Sequence, residues 1–199
     1  DYNRCGVPLI EIVSEPDFRS AEEVIAYLEK LKTTFEYLGI SDCKMQEGSM
    51  RADVNLSVRK KGEQEFGTRT EMKNINSFKA IERAIAFESA RQIEVLENGG
   101  RITQETRRWD DNKGKTYAMR SKENAQDYRY FPEPDIPPVS ISEETIKEYL
   151  DNMPEFSYEK IARYQSQYGI AEADAAIIAG SKYLASLFEK TAELCGDPK

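Results

Sequence analysis

Met50–Lys60 reads MRADVNLSVRK, and its alternation points to a β element with two unlike sides. Its odd positions carry Arg51, Asp53, Asn55, Ser57 and Arg59; its even positions carry Ala52, Val54, Leu56 and Val58. Successive side chains of a strand point to opposite faces, so the segment predicts one apolar side and one polar side. The polar side lines up cations, a carboxylate, an amide and a hydroxyl. A merely solvated face needs only one or two such groups. Charges of both signs at regular spacing suit a phosphate and its metal ion, with Asp53 as metal or ribose ligand and Arg51 and Arg59 as phosphate partners. The plain alternative is a surface ladder in which Asp53 forms cross-strand ion pairs with the flanking arginines. The pattern alone leaves both open.

Working outward, Cys43–Glu47 and Phe66–Asn74 read as further strands, and the Lys61–Gly62 turn makes a hairpin with antiparallel pairing. Ile102–Trp109 and Thr116–Arg120 form a second hairpin around Asp111–Gly114. Leu9–Val13, an apolar run interrupted by Glu11, reads as a buried strand. Two long helices flank these elements. The first starts at a Ser20/Glu23 capping box and stops at Gly39, with Val24, Leu28, Leu31, Phe35 and Leu38 at helical spacing. The second starts at Ser77, turns Phe78, Ile81, Ile85, Ile93 and Leu96 inward, and closes at Asn98-Gly99-Gly100.

After DYRYFPEPDIPP (Asp127–Pro138), an extended aromatic and proline-rich segment, the pattern changes. Helices are expected at about 143–152, 157–168, 171–179 and 181–194, with Leu150, Ile161, Tyr164, Ile177, Leu184, Leu187 and Phe188 as core candidates. The fold class is therefore α+β, an antiparallel sheet with flanking helices. A boundary near Asn152–Pro154 separates that domain (1–152) from the start of an all-α domain (153–199).

Composition narrows the chemistry. Three cysteines, Cys5, Cys43 and Cys195, lack CxxC spacing, which speaks for reduced thiols in a cytoplasmic protein and against a zinc site. With no histidine, a general base must be a carboxylate or come from another chain. Metal binding must then rest on oxygen ligands, favouring magnesium. A net charge of −8 argues against this chain being the main nucleic-acid grip, and no apolar run approaches a membrane span. The chain opens at Asp1 without a methionine, in what reads as mid-domain, and is expected to be a piece of a longer protein.

Single motifs stay ambiguous. Glu11 inside LIEIV is costly in a buried strand unless paired or bound to metal. Gly48 permits close backbone approach and Ser49 a phosphate or ribose contact, yet a plain turn explains both. Glu71 and Lys73 share a strand face as a surface pair or as site residues, while Asn74 and Asn76 suit turn chemistry. Aromatics around Arg129 offer stacking on a base, or packing over a sheet edge. No P-loop, GxGxxG or Ser-His-Asp set is present.

Together, DYNRCGVPLIEIVSEPD (1–17), KMQEGSMRADVNLSVR (44–59), FGTRTEMKNINSF (66–78), QETRRWD (104–110) and RSKENAQDYRYFPEPDIPP (120–138) resemble the B-subunit family of the bacterial aspartyl/glutamyl-tRNA amidotransferase, the GatCAB complex. The resemblance implies a cradle similar to glutamine synthetase, followed by a helical domain and a tail domain. It implies ATP- and magnesium-dependent phosphorylation of the side-chain carboxylate of Glu-tRNA(Gln) or Asp-tRNA(Asn). Ammonia from the A (glutaminase) subunit, in a complex with the C subunit, would then displace the phosphate. On this sequence the resemblance makes Glu11 a magnesium ligand whose companion ligands lie upstream, with Glu47 a further candidate beside Gln46. It places Ser49, Arg51, Asp53, Phe66 and Thr68 at the nucleotide pocket: Asp53 on ribose or metal, Arg51 on phosphate, Phe66 on adenine. Lys73 and Arg59 are phosphate or tRNA-end contacts, and Cys5 has no chemical role. A non-catalytic tRNA-docking scaffold is the alternative. The archaeal E-type relative carries a large insertion for which Pro138–Pro154 leaves no room.

Overall fold

The alternating segment forms only a short strand, because a strand extends no further than its hydrogen-bonded partner. In the computed structural model, which describes residues 7–121 and 134–196, β1 is Val54–Leu56 and β2 is Thr70–Lys73. They pair antiparallel, Val54 opposite Met72 and Leu56 opposite Thr70, across the expected turn at Lys61–Gly62. Gly67 matters on the returning arm: a Cβ there would lie 2.2 Å from the Val58 carbonyl oxygen, so only glycine admits this backbone approach.

β3 (Glu105–Asp110) and β4 (Lys115–Ser121) form the second expected hairpin, turning at 111–114. The four strands make one sheet in the order β1-β2-β3-β4. The α+β class holds, but the pairing is antiparallel at only two junctions. β2 and β3 run parallel, Glu71 opposite Thr106 and Lys73 opposite Arg108. The reason is the long helix between them, since parallel neighbours require a crossover of a dozen or more residues.

That helix is α2, Phe78–Glu97, begun by the Ser77 hydroxyl accepting the Ala80 N–H. It packs on the sheet beside α1, Ala21–Leu38, which ends at Gly39 with φ +72°. At the start of α1, Ser20 accepts the Glu23 N–H, while the Glu23 carboxylate takes the Arg19 N–H instead of that of Ser20. Met72, Ile75, Ala80, Ile81, Ala84 and Trp109 form the core, with Val24, Ile25 and Leu28 of α1 against them. The inward stripe of α2 departs from the expected one. Ile93 and Leu96 are exposed, and the buried face continues through Glu88 and Gln92, both fully buried.

Glu88 ties three strands together. It accepts the hydroxyls of Thr70 (2.9 Å) and Thr116 (2.8 Å) and lies 3.3 Å from Arg107 Nε. Arg91 donates to it twice, at 2.5 and 2.9 Å, and Gln92 once, at 3.2 Å. Burial works to raise its pKa, but the hydrogen bonds from Arg91, Thr116, Thr70 and Gln92 hold it below the usual carboxylate range.

Two expected strands are absent. Leu9–Val13 is irregular, with Leu9 88% and Val13 83% exposed, because among the described residues no strand pairs with it. Cys43–Glu47 runs into a turn at 45–48, with Cys43 at φ +49°. The segment from Asp127 to Glu133, including Arg129 and its aromatic neighbours, lies outside the described residues, as does Cys5.

The remaining helices fall where expected: α3 Glu143–Asp151, α4 Ser157–Tyr168, α5 Glu172–Ala179 and α6 Lys182–Cys195. Their core is Tyr164, Ala175 and Ala179, flanked by Ile161, Ile178 and Phe188. Leu150, Ile177, Leu184 and Leu187 are exposed, contrary to expectation; on α5 the buried positions are Ala175 and Ala179, one turn apart, and the face they form turns Ile177 away. Buried Tyr37 joins α1 to this part: its hydroxyl donates to the Ala179 carbonyl at 2.8 Å, and Lys182 Nζ donates to the Tyr37 carbonyl at 2.7 Å.

Candidate functional site

The sheet has a core face and an outer face, and register assigns each residue to one of them. Val54, Met72, Arg107, Trp109 and Thr116 face α2. Their neighbours in sequence face away, and cross-strand pairing aligns these into rows. One row runs Asn55, Glu71, Thr106, and the next runs Lys73, Arg108, Tyr117. Asp53, one residue before β1, reaches the second row: Lys73 Nζ donates to its Oδ2 at 2.9 Å. The polar side of MRADVNLSVRK is therefore one edge of a polar surface that continues over all four strands.

Lys73 is the hub of this surface. It lies 3.4 Å from Glu71 Oε1, while the Thr106 hydroxyl donates to Glu71 Oε2 at 3.0 Å. The hydrogen bond to Asp53 raises the Lys73 pKa, opposed by partial burial and aided by the Glu71 charge. The cross-strand ion pair weighed from sequence is thus present, with Lys73 as the cation in place of the flanking arginines. Oxygen ligands and an ammonium meet here on the outer side of the sheet, Asp53 and Lys73 half-exposed and Glu71 and Thr106 largely buried, an arrangement suited to a cation and its phosphate counter-ions.

The other predicted residues are distributed around this centre. Arg51 is exposed ahead of β1, and Thr68 is exposed ahead of β2. Phe66, 55% exposed, lies under the Arg59 guanidinium at 4.8 Å from the ring centroid, and Arg59 Nη1 donates to the Gln64 carbonyl at 2.5 Å. This makes a cation–π platform on the turn side of the first hairpin. Ser49 belongs to the 45–50 turn, where its side-chain hydrogen bond is the main cause of a lowered Asp42 pKa. Glu47 is engaged with Lys44 at 3.1 Å. Glu11 is exposed on the irregular segment instead of buried in a strand. Among the described residues, no group of three or more acidic or cysteine side chains could hold a metal ion. Asp53 and Lys73 are brought together; Glu11 and Glu47 join no such group.

An open depression of about 550 Å³ lies elsewhere, lined by Glu36, Gly39, Ile40, Ser41, Asp42 and Lys44. It adjoins the C-terminal end of α1, whose dipole repels phosphate. The sequence reading missed Thr106 and Arg108 on the outer face. The parity of QETRRWD held the signal: Trp109 belongs in the core, which sends Arg107 inward with it and Arg108 outward.

A family model described as the GatB/GatE catalytic domain matches residues 1–147. The chain is 68% identical over 199 residues to the B subunit of the aspartyl/glutamyl-tRNA(Asn/Gln) amidotransferase from Lachnoclostridium phytofermentans, covering 100% of this chain and 42% of that protein. It is 64% identical to the protein of the same name from Lachnospira eligens, covering 100% of this chain and 41% of the relative. Against that of Caldicellulosiruptor saccharolyticus it is 60% identical over 190 residues, 96% of this chain and 40% of the relative. The chain thus spans about two fifths of the length of the curated relatives it matches.

Proposed function

The chain belongs to the GatB/GatE catalytic domain family, and from that membership we propose that it supplies the carboxylate-activating surface of a tRNA-dependent amidotransferase. The substrate is glutamate or aspartate mischarged on tRNA(Gln) or tRNA(Asn), and ATP phosphorylates its side-chain carboxylate. The A and C subunits are the partners, the A subunit releasing ammonia from glutamine. Amide formation then displaces phosphate. A carboxylate is a poor acyl donor, and phosphorylation turns its oxygen into a leaving group. The work site is the cytoplasm; no described helix is long and apolar enough to cross a membrane.

Phosphoryl transfer asks a protein mainly for positioning and charge neutralisation, which a surface without histidine supplies. The observation that carries the reading is the convergence of Asp53 and Glu71 on Lys73 across two strands, on a face backed by a packed core. Magnesium is held by one or two carboxylates together with phosphate oxygens and water, and it would supply charge neutralisation along the triphosphate. Asp53 and Glu71 have the oxygen chemistry to hold it, with Glu11 as the ligand contributed by the preceding segment. Lys73 and Arg51 offset phosphate charge, Ser49 and Thr68 offer hydroxyls to the nucleotide, and the Arg59–Phe66 platform offers a flat surface to its base. Residues 1–152 form the catalytic part and 153–199 open the helical one.

The full-length protein, assembled with its A and C partners, should convert Glu-tRNA(Gln) to Gln-tRNA(Gln). Asp53→Ala and Glu11→Ala should each abolish phosphorylation while glutamine hydrolysis in the A subunit persists. Undiminished phosphorylation in both variants refutes the assignment. A tRNA-docking scaffold is the second reading, favoured by the completeness with which Asp53 and Glu71 already satisfy Lys73. Magnesium-dependent ATP binding, measured by calorimetry, decides against it.

A further inference from the structure

Among the described residues, the outer face leaves one cation of the Lys73 row unmatched. Lys73 and Arg108 are cross-strand partners on adjacent interior strands, and like charges so placed repel. Asp53 and Glu71 answer the charge of Lys73. No side chain among the described residues answers Arg108: it is exposed, and its guanidinium makes no hydrogen bond or ion pair with them. Its sequence neighbour Arg107 is consumed inward by Glu88, Glu105 and Thr116. On the far side of Arg108 stands Tyr117, 43% exposed, with Lys113 Nζ 5.5 Å from its ring centroid. Asp110, two residues beyond Arg108 on the same side of β3, sits opposite Lys115 and accepts the Lys113 N–H at 3.1 Å, so it is engaged at the turn and forms no ion pair with Arg108.

We propose that Arg108 is a phosphate-binding residue, gripping an oxyanion that also lies against Lys73. A guanidinium is planar and presents paired N–H donors to two phosphate oxygens, and it is always charged. A phosphate placed there converts the Lys73–Arg108 repulsion into two attractions, and the adjoining carboxylates leave room for a cation on the same anion. The inference rests on the proposed function for the source of that phosphate. The triphosphate of ATP is one source; the backbone of the tRNA end is the other, and both present the same chemistry.

The test uses the full-length protein in complex with its A and C partners. Arg108→Gln removes the charge, and Arg108→Lys keeps it without the fork. Because the Arg108 side chain has no partner to lose among the described residues, neither variant should lower the melting temperature. For a triphosphate contact, calorimetry with magnesium-ATP should show affinity lower by about ten-fold or more in Arg108→Gln. Arg108→Lys should fall between, and the KM for aminoacyl-tRNA should stay unchanged. For a tRNA phosphate, ATP affinity stays and the KM for aminoacyl-tRNA rises, with a shallower salt dependence. Both constants within two-fold of the parent protein in Arg108→Gln would overturn the proposal. If the parent complex binds no magnesium-ATP, the proposed function fails, and the tRNA arm alone decides whether Arg108 grips phosphate.

Discussion

Glu88→Ala is the substitution that most directly probes how this sheet is held. The carboxylate is fully buried and accepts from Thr70 on β2, Thr116 on β4, and Arg91 and Gln92 on its own helix, with Arg107 of β3 3.3 Å away. Truncation leaves the half-buried Arg91 without its carboxylate and two buried hydroxyls without their acceptor, while Arg107 keeps Glu105 and Thr116. Removing one partner of a buried ion pair costs about 3–5 kcal/mol. The hydroxyls taken singly cost about 1–3 kcal/mol each. These losses overlap, and Arg91 regains some water at 23% side-chain exposure, so the expected loss is about 3–5 kcal/mol. Urea denaturation followed by far-ultraviolet circular dichroism near neutral pH measures it. The pH dependence gives a second check. The folded-state pKa of Glu88 lies below its ordinary value of 4.5, so the stability it contributes is complete above 4.5 and drains away as pH falls through the folded value. The parent chain should therefore destabilise across that acid window, and Glu88→Ala should lack this part of the slope. A loss below about 1 kcal/mol with an unchanged denaturant slope, or an identical acid slope in both proteins, refutes the account of Glu88 as the tie between strands.

Two further tests separate function from scaffold. A double-mutant cycle on Asp53 and Lys73, whose side chains are 48% and 44% exposed, should return a coupling of no more than about 1 kcal/mol in thermal unfolding, so any large activity loss in Asp53→Ala is not a folding effect; a coupling above about 2 kcal/mol would make the pair structural. Tyr37→Phe should cost about 1–3 kcal/mol by leaving the Ala179 carbonyl without its buried donor. The Tyr37 phenol is raised from 10.0 to about 12, by burial first and then by Glu189 and Glu155. Its contribution is therefore complete below pH 10 and lost as pH rises toward 12. Phenylalanine should flatten alkaline unfolding in that range, and an unchanged alkaline slope would count against the Tyr37–Ala179 junction.

What could be read beforehand followed the range of the interactions. Helix ends are set within a turn by caps, so Ser20, Gly39 and Ser77 stand at their expected places. Strand extent is set by a partner distant in sequence, so MRADVNLSVRK keeps its alternation but pairs only over Val54–Leu56, and LIEIV, with no hydrogen-bonded neighbour among the described residues, lies open. Periodicity counts apolar residues and therefore overlooked Glu88 and Gln92, which are buried because strand hydroxyls and arginines meet them, an arrangement no single segment reveals. The same limit shaped the reading of the site. Asp53 and Lys73 were each legible as polar-face residues, but their contact depends on hairpin register. Arg108 depends on the parallel β2–β3 crossover that sets it beside Lys73. Its outward direction was nonetheless written locally, since burying Trp109 fixes the parity of the whole strand. A candidate site on a sheet is thus legible one strand at a time from the parity of its largest apolar residue. Assembly of those faces into a surface becomes legible only once topology is known.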